Sequence, residues 1–149
     1  MSAAFQMMIG STATEVAALL DAFSRFAERG RIPDPVRRDL LVALDEVLAN
    51  VVMHGSDGAT TAVASVTVHL LADAVQVVVA DTGVSFDPLA QAPPDTTLSI
   101  EARPIGGLGL HLVQRLMDDT RYAREDAQNI LTLTKRLPTA GAPDPTGAA

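Results

Sequence analysis

The chain is expected to fold as an α+β protein, a two-layer α/β sandwich with helices on one face of a mixed, mostly antiparallel sheet. Three observations predict this. Apolar residues recur at helical spacing from Thr12 to Gly55. From Thr61 the period drops to two, and two alternating runs follow each other across a tight connection, the pattern of antiparallel neighbours. After a long proline-bearing stretch, one more amphipathic segment and two short alternating runs complete the order strand, helix, helix, strand, strand, loop, helix, strand, strand. At 149 residues there is room for a real core in one domain, expected over 1–137, with 138–149 as a disordered tail.

The first element is short. Ala4 to Ile9, AFQMMI, is apolar enough for an opening strand, although pattern alone does not separate such a run from a helix end. Thr12 and Glu15 then form a T-x-x-E capping box, and Val16, Leu19, Leu20, Phe23 and Phe26 carry a helical stripe to Gly30. After the turn RIP, Asp34 is expected to cap a second helix whose first turn accommodates Pro35, where a missing amide hydrogen costs nothing. Its stripe runs through Val36, Leu40, Leu44, Val47, Leu48, Val51 and Val52 to a stop at Gly55, and SDGATT ends the helical half.

In the second half, Val66, Val68 and Leu70 alternate with Thr67 and His69, a strand with one buried face. Ala72-Asp73-Ala74 turns it into Val75–Asp81, whose apolar density suggests a central strand. The next segment, TGVSFDPLAQAPPDTTLSIEARPI, is about two dozen residues long with four prolines, and its part from Ala90 to Ile105 reads as a lid. Gly106 to Asp119 becomes an amphipathic helix through Leu110, Val113, Leu116 and Met117. Strands are expected near Thr120–Arg124 and at Ile130–Leu137.

Composition narrows the function. A formal charge of −7 and a pI near 4.7 disfavour a nucleic-acid surface, which needs a basic stripe, and 3% aromatics without tryptophan disfavour stacking on single strands. Mean hydropathy is +0.23, and no apolar run reaches the length of a membrane span. Met1 to Gly10 lacks the basic start and apolar run of a secretory signal. With no cysteine for disulfides or thiolate zinc sites, a cytoplasmic protein is expected.

Three short motifs carry chemistry. Glu46 and Asn50 stand four apart within the second helix and therefore share a face, a carboxylate that can polarise a nucleophile beside an amide oxygen that can bind a hard cation. Asp81-Thr82-Gly83 follows a buried strand, where a carboxylate can accept from an exocyclic amine and glycine lets a flat ring approach the backbone. Gly106, Gly107 and Gly109 precede a helix, whose unpaired amides hold phosphate. Each also has an ordinary structural reading: a solvated helical pair, a common strand-end turn, a helix start after a glycine loop. The glycines are not the dinucleotide fingerprint, which would need glycine at Leu112, and no G-K-[ST] of a Walker loop occurs. His54, His69 and His111 lack metal-ligand spacing.

Taken together, order and spacing are far more specific. The chain resembles the GHKL (Bergerat-fold) ATP-binding superfamily, and within it the bacterial anti-sigma-factor serine kinases of the partner-switching type. DEVLANVVMHG looks like the N box, ADTGVSFDP like the D-x-G box, and RPIGGLGLHLVQRLMD like the glycine-rich box, over a match from about Ala4 to Leu137. The resemblance implies Glu46 as the base that orients an incoming hydroxyl and Asn50 as a Mg²⁺ ligand. It implies Asp81 as the contact of the adenine amino group, with Gly83 beneath the ring. Gly106, Gly107, Leu108 and Gly109 would wrap the ATP phosphates, with Arg103 as a nearby cation. Where many members place a G-T pair before the last strand, this chain has Gln128-Asn129, and Asn129 could keep a hydrogen bond to the Asp81–adenine network. The implied function is a cytoplasmic homodimeric switch that sequesters a sigma factor and phosphorylates a serine of a STAS-domain antagonist. Competing readings are an ATP-gated binding module without catalysis, a sensor histidine kinase ATPase domain, and a domain cut from a larger phosphatase or receptor protein. No histidine precedes His54, so the dimerisation hairpin of a histidine kinase has no counterpart here.

Overall fold

The structure, a computed structural model, describes residues 4–10, 12–54, 63–90 and 107–138. Its elements are β1 (Phe5–Gly10), α1 (Ala13–Arg29), α2 (Asp34–His54), β2 (Val63–Leu70), β3 (Ala74–Asp81), a 3-10 turn (Pro88–Ala90), α3 (Gly107–Leu116), β4 (Asp119–Glu125) and β5 (Gln128–Arg136). The strands form one five-stranded sheet in the order β1-β2-β3-β5-β4. This is the expected α+β sandwich. Every pairing among the described residues is antiparallel, so the sheet is not mixed.

Register explains the core. Val66 pairs with Val79 and Val79 with Leu131; Val68 pairs with Val77 and Val77 with Leu133. These side chains share one sheet face and are buried with Leu19 and Phe23 of α1, Leu40, Leu44 and Leu48 of α2, and Val113 of α3. The period of two in the strands and the 3.6 of the helices thus converge on one core. One row further, Ala64 pairs with Asp81 and Asp81 with Asn129, which brings two polar residues to the end of that apolar face. At the opposite end, Phe5 of β1 packs edge-on to Phe23 at 6.2 Å between centroids and against Phe26 at 5.3 Å.

Helix ends show where local chemistry departs from expectation. Thr12 caps α1 as foreseen, its hydroxyl accepting from the Glu15 amide at 3.2 Å and donating to the Glu15 carboxylate at 2.8 Å. Gly30 does not supply the left-handed residue at the other end: its φ is −79°, and Arg31, at φ 56°, takes that conformation. Arg31 N–H donates to the Glu28 carbonyl and Ile32 N–H to the Ala27 carbonyl, the paired bonds of a Schellman motif with Arg31 at its left-handed position. In α2, Asp34 is the first helical residue and not a cap. The Pro33 carbonyl accepts from Arg37 N–H at 2.9 Å, and the Asp34 carboxylate pairs instead with Arg37 Nη2 at 3.2 Å.

α3 is shorter than expected. Asp118 N–H is taken by the Thr134 carbonyl at 2.9 Å and Asp119 pairs with Thr134, so the sheet captures the chain before another helical turn can form. Lys135 of β5 then fastens both helices, donating to the Leu116 carbonyl at 2.7 Å and pairing with Asp39 of α2 at 3.0 Å. The helix stop at Gly55, the SDGATT segment, the lid beyond Ala90 and the tail from 139 onward lie outside the described residues.

Candidate functional site

Among the described residues, three polar side chains are buried: Asn50 at 9% exposure, Asp81 at 8% and Asn129 at 7%. All three line a single cleft with about 450 Å³ of empty space, part of it open to solvent. Buried polar groups are costly unless hydrogen-bonded, so their collection in one place marks a site and not a packing accident. The walls are apolar: Val47 and Val51 of α2, Leu110 of α3, and Val79 and Leu131 from the sheet. Such a slot suits a flat, mostly apolar ring with a polar edge.

Asp81 ends β3, where the ladder stops and the chain turns. Its Oδ1 accepts from Gly83 N–H at 2.9 Å and from Asn129 Nδ2 at 3.0 Å. These two donors hold one oxygen, leaving Oδ2 for a ligand. Gly83 is buried and is not among the residues that line the cleft. Asn129 sits opposite Asp81 in register, and its role is larger than expected. Nδ2 also donates to the Val84 carbonyl at 2.8 Å, while Oδ1 accepts from Phe86 N–H at 3.2 Å and from the Tyr122 hydroxyl at 2.6 Å.

Asn50 contributes from α2. Its Nδ2 donates to the Glu46 carbonyl at 3.0 Å, which ties the nitrogen back to the helix, and Oδ1 is the atom of the amide that can meet a cation. Glu46 lies one turn earlier, half-buried, beside the cleft and not among its lining residues. The structure thus brings Asn50, Asp81 and Asn129 together, with Glu46 adjacent. Gly107, Leu108 and Gly109 form the first turn of α3, and Leu110 of the same helix lines the cleft. Gly106 and Arg103 lie outside the described residues.

Sequence reasoning missed the contribution of β4. Tyr122 lines the cleft, and Arg124 Nη1 donates to the Gly83 carbonyl at 2.8 Å, gripping the turn after Asp81. Val84, Phe86 and Pro88 close the outer side of the cleft. A signal existed: Tyr122 is the chain's single tyrosine and lies on the strand that hairpins into Asn129. No group of three or more side chains that could hold a metal ion occurs among the described residues.

Comparisons with known proteins bear on the family and the fold. The family described as Histidine kinase-like ATPase domain (HATPase_c_2) matches residues 9–135. Serine/threonine-protein kinase BtrW of Bordetella bronchiseptica is 32% identical over 123 residues, covering 83% of this chain and 87% of BtrW. Serine-protein kinase RsbW of Listeria innocua is 30% identical over 120 residues, covering 78% of this chain and 76% of RsbW. In fold, the chain is similar to the crystal structure of the RsbU and RsbW domains of Rv1364c from Mycobacterium tuberculosis, with a TM-score of 0.63 at 18% identity. That match covers 89% of this chain and 32% of the other. A core cleft with its buried polar residues, a family match over nearly all of the chain and relatives aligned across most of their own length lead to one assignment: the chain belongs to the histidine kinase-like ATPase domain family, alongside the RsbW and BtrW serine-protein kinases.

Proposed function

We propose that the chain is an ATP-dependent serine-protein kinase of a partner-switching module, which phosphorylates a serine of a STAS-domain antagonist and sequesters a sigma factor. The observation that carries the ATP site is the convergence of all three buried polar side chains of the described residues on one apolar cleft. The names of the relatives support serine phosphorylation, and the sigma factor and STAS partners follow from the family resemblance.

In this reading Asp81 accepts the adenine amino group through Oδ2, Gly83 lies under the ring, and the first turn of α3 with Gly106, Gly107, Leu108 and Gly109 receives the phosphates. Mg²⁺ carried on ATP neutralises phosphate charge when bound, and it needs only one or two protein oxygens; Asn50 Oδ1, buried at the cleft and free of its helix, fits as one. Glu46 orients the serine hydroxyl and takes its proton as the oxygen–γ-phosphorus bond forms and the bond to the β-bridging oxygen breaks. Catalysis then consists mainly of positioning, which a cleft between two helices and a sheet provides.

The chain acts as a homodimer in the cytoplasm. No helix among the described residues is long and apolar enough to cross a membrane. Calorimetry on Asp81→Asn tests the site. Losing an ionised acceptor should weaken adenine-nucleotide binding more than tenfold, the order of a charge-assisted hydrogen bond, and unchanged affinity would remove Asp81 from the site. A chain that binds ATP and an antagonist tightly yet transfers no phosphate would instead be an ATP-gated binding module.

A further inference from the structure

We infer that Tyr122 and Asn129 form a clasp that sets nucleobase selectivity, holding the Asp81 carboxylate so that it presents a single free acceptor oxygen to the cleft. The inference rests on the reading of Asp81 as the nucleobase contact and goes beyond it, because it assigns the selectivity to two residues that act through Asp81.

The orientation of the Asn129 amide is dictated by two backbone groups of opposite polarity. Phe86 N–H faces Oδ1 at 3.2 Å and the Val84 carbonyl faces Nδ2 at 2.8 Å. A flipped amide would set carbonyl against carbonyl and N–H against N–H, so the flip is excluded. The Tyr122 hydroxyl, donating to Oδ1 at 2.6 Å, adds a second donor on the side that already accepts. Nδ2 therefore has its remaining hydrogen aimed at Asp81 Oδ1 at 3.0 Å, beside the Gly83 amide at 2.9 Å. Arg124 holds the same turn by its bond to the Gly83 carbonyl.

Two consequences follow. All four hydrogen-bonding positions of Asn129 are filled by protein, so this side chain has nothing left to offer a nucleotide and is a positioning residue. Asp81, with Oδ1 pinned by two N–H donors, cannot turn or share the task between its oxygens; what the buried end of the cleft shows a ligand is an acceptor. A purine with an amino group at position six donates to it. One with a keto oxygen there sets lone pairs against a carboxylate, and the pinned Asp81 cannot rotate away from that contact.

The test compares equilibrium binding of Mg·ATP and Mg·ITP to the full chain, with thermal unfolding of each variant as the check on folding. Wild type should prefer ATP by on the order of 10² or more, as sites built around a specific polar contact do. Tyr122→Phe, which removes only a hydroxyl, should narrow that ratio roughly threefold, and Asn129→Leu roughly tenfold, the range expected for hydrogen bonds to neutral and charged partners. If both variants weaken ATP and ITP in proportion and leave the ratio at its wild-type value, the two residues are merely structural and the clasp is overturned. Asp81→Asn separates this from failure of the underlying reading. A wild-type ratio in Asp81→Asn means that Asp81 does not contact the base at all, whereas a collapsed ratio there with unchanged ratios in the other two rejects the clasp alone. Should Asn129→Leu not fold, Tyr122→Phe carries the decision.

Discussion

Glu46 and Asn50 stand one helical turn apart on α2, and the proposed kinase reading divides chemistry and ground-state binding between them. Asn50 is buried at the cleft with its amide nitrogen tied to the Glu46 carbonyl, so its oxygen is the part that can serve a phosphate-bound cation. Replacing it with alanine should weaken nucleotide binding and phosphoryl transfer together, since a cation held there would neutralise phosphate charge both before and during reaction. Glu46 is half-buried outside the cleft lining, and in the proposed reading it meets the incoming hydroxyl. Glu46→Ala should keep ATP affinity within a few-fold while slowing transfer by on the order of 10² or more. Transfer of labelled γ-phosphate to an antagonist serine, measured beside equilibrium binding, checks both; a Glu46 variant that transfers at the wild-type rate removes the base. Legibility at this scale followed chain distance. Asn50 and Asp81 were readable because a helical repeat and a strand end announce them locally. The contact of Tyr122 with Asn129 was not, because it runs on a diagonal across the β4–β5 ladder, where Tyr122 faces Leu131 directly.

Elements were legible from periodicity, and their ends were less so, because ends are decided by single backbone angles and by competing ladders. The helical stripe of α1 reads as running to Gly30, and the left-handed residue that ends the helix is Arg31 at φ 56°. Gly30 is kept for space instead, since a side chain there would meet the Phe26 carbonyl oxygen at 3.3 Å. Arg31→Gly should therefore stabilise the protein by about 0.5–1 kcal/mol, the usual cost of holding a non-glycine residue in that region. The β4–β5 hairpin presents the same case. Asp126 and Ala127, at φ 51° and 62°, form the two-residue turn closed by Glu125 and Gln128, and this turn type favours Asp-Gly. Ala127→Gly should add a similar increment, again about 0.5–1 kcal/mol. Urea unfolding midpoints test both; a lower midpoint in either variant would mean that the wild-type side chain makes contacts outweighing its strain. Because this hairpin carries Tyr122, Arg124 and Asn129 to the cleft, the strain sits beside the site that it positions.

For the whole molecule, the number of strands followed from the pattern, while their lateral order and the antiparallel direction of every pairing did not. After α3 the chain could have set either β4 or β5 beside β3, and connection length does not distinguish the two. The side chains do: β5 buries Leu131 and Leu133 beside Val79 and Val77, whereas β4, DTRYARE, is rich in charge and takes the edge. The other edge is β1, FQMMIG, which has no charged residue and exposes Met8 at 68%. An uncharged edge strand with free backbone groups is a template for pairing, and the two edges of this sheet are guarded unequally. The chain should therefore self-associate through β1 as a two-fold dimer, in which the same strand from each copy supplies the interface. Light scattering at micromolar concentration should report twice the 15.6 kDa of one chain. Met8→Lys places like charges from both copies near the two-fold axis, on a residue exposed enough to leave the fold intact. It should shift the mass toward the monomer and make association depend on salt, because added ions screen the repulsion. A monomeric wild type at that concentration would mean that β1 is left open, and a dimer untouched by Met8→Lys would move the interface to another surface.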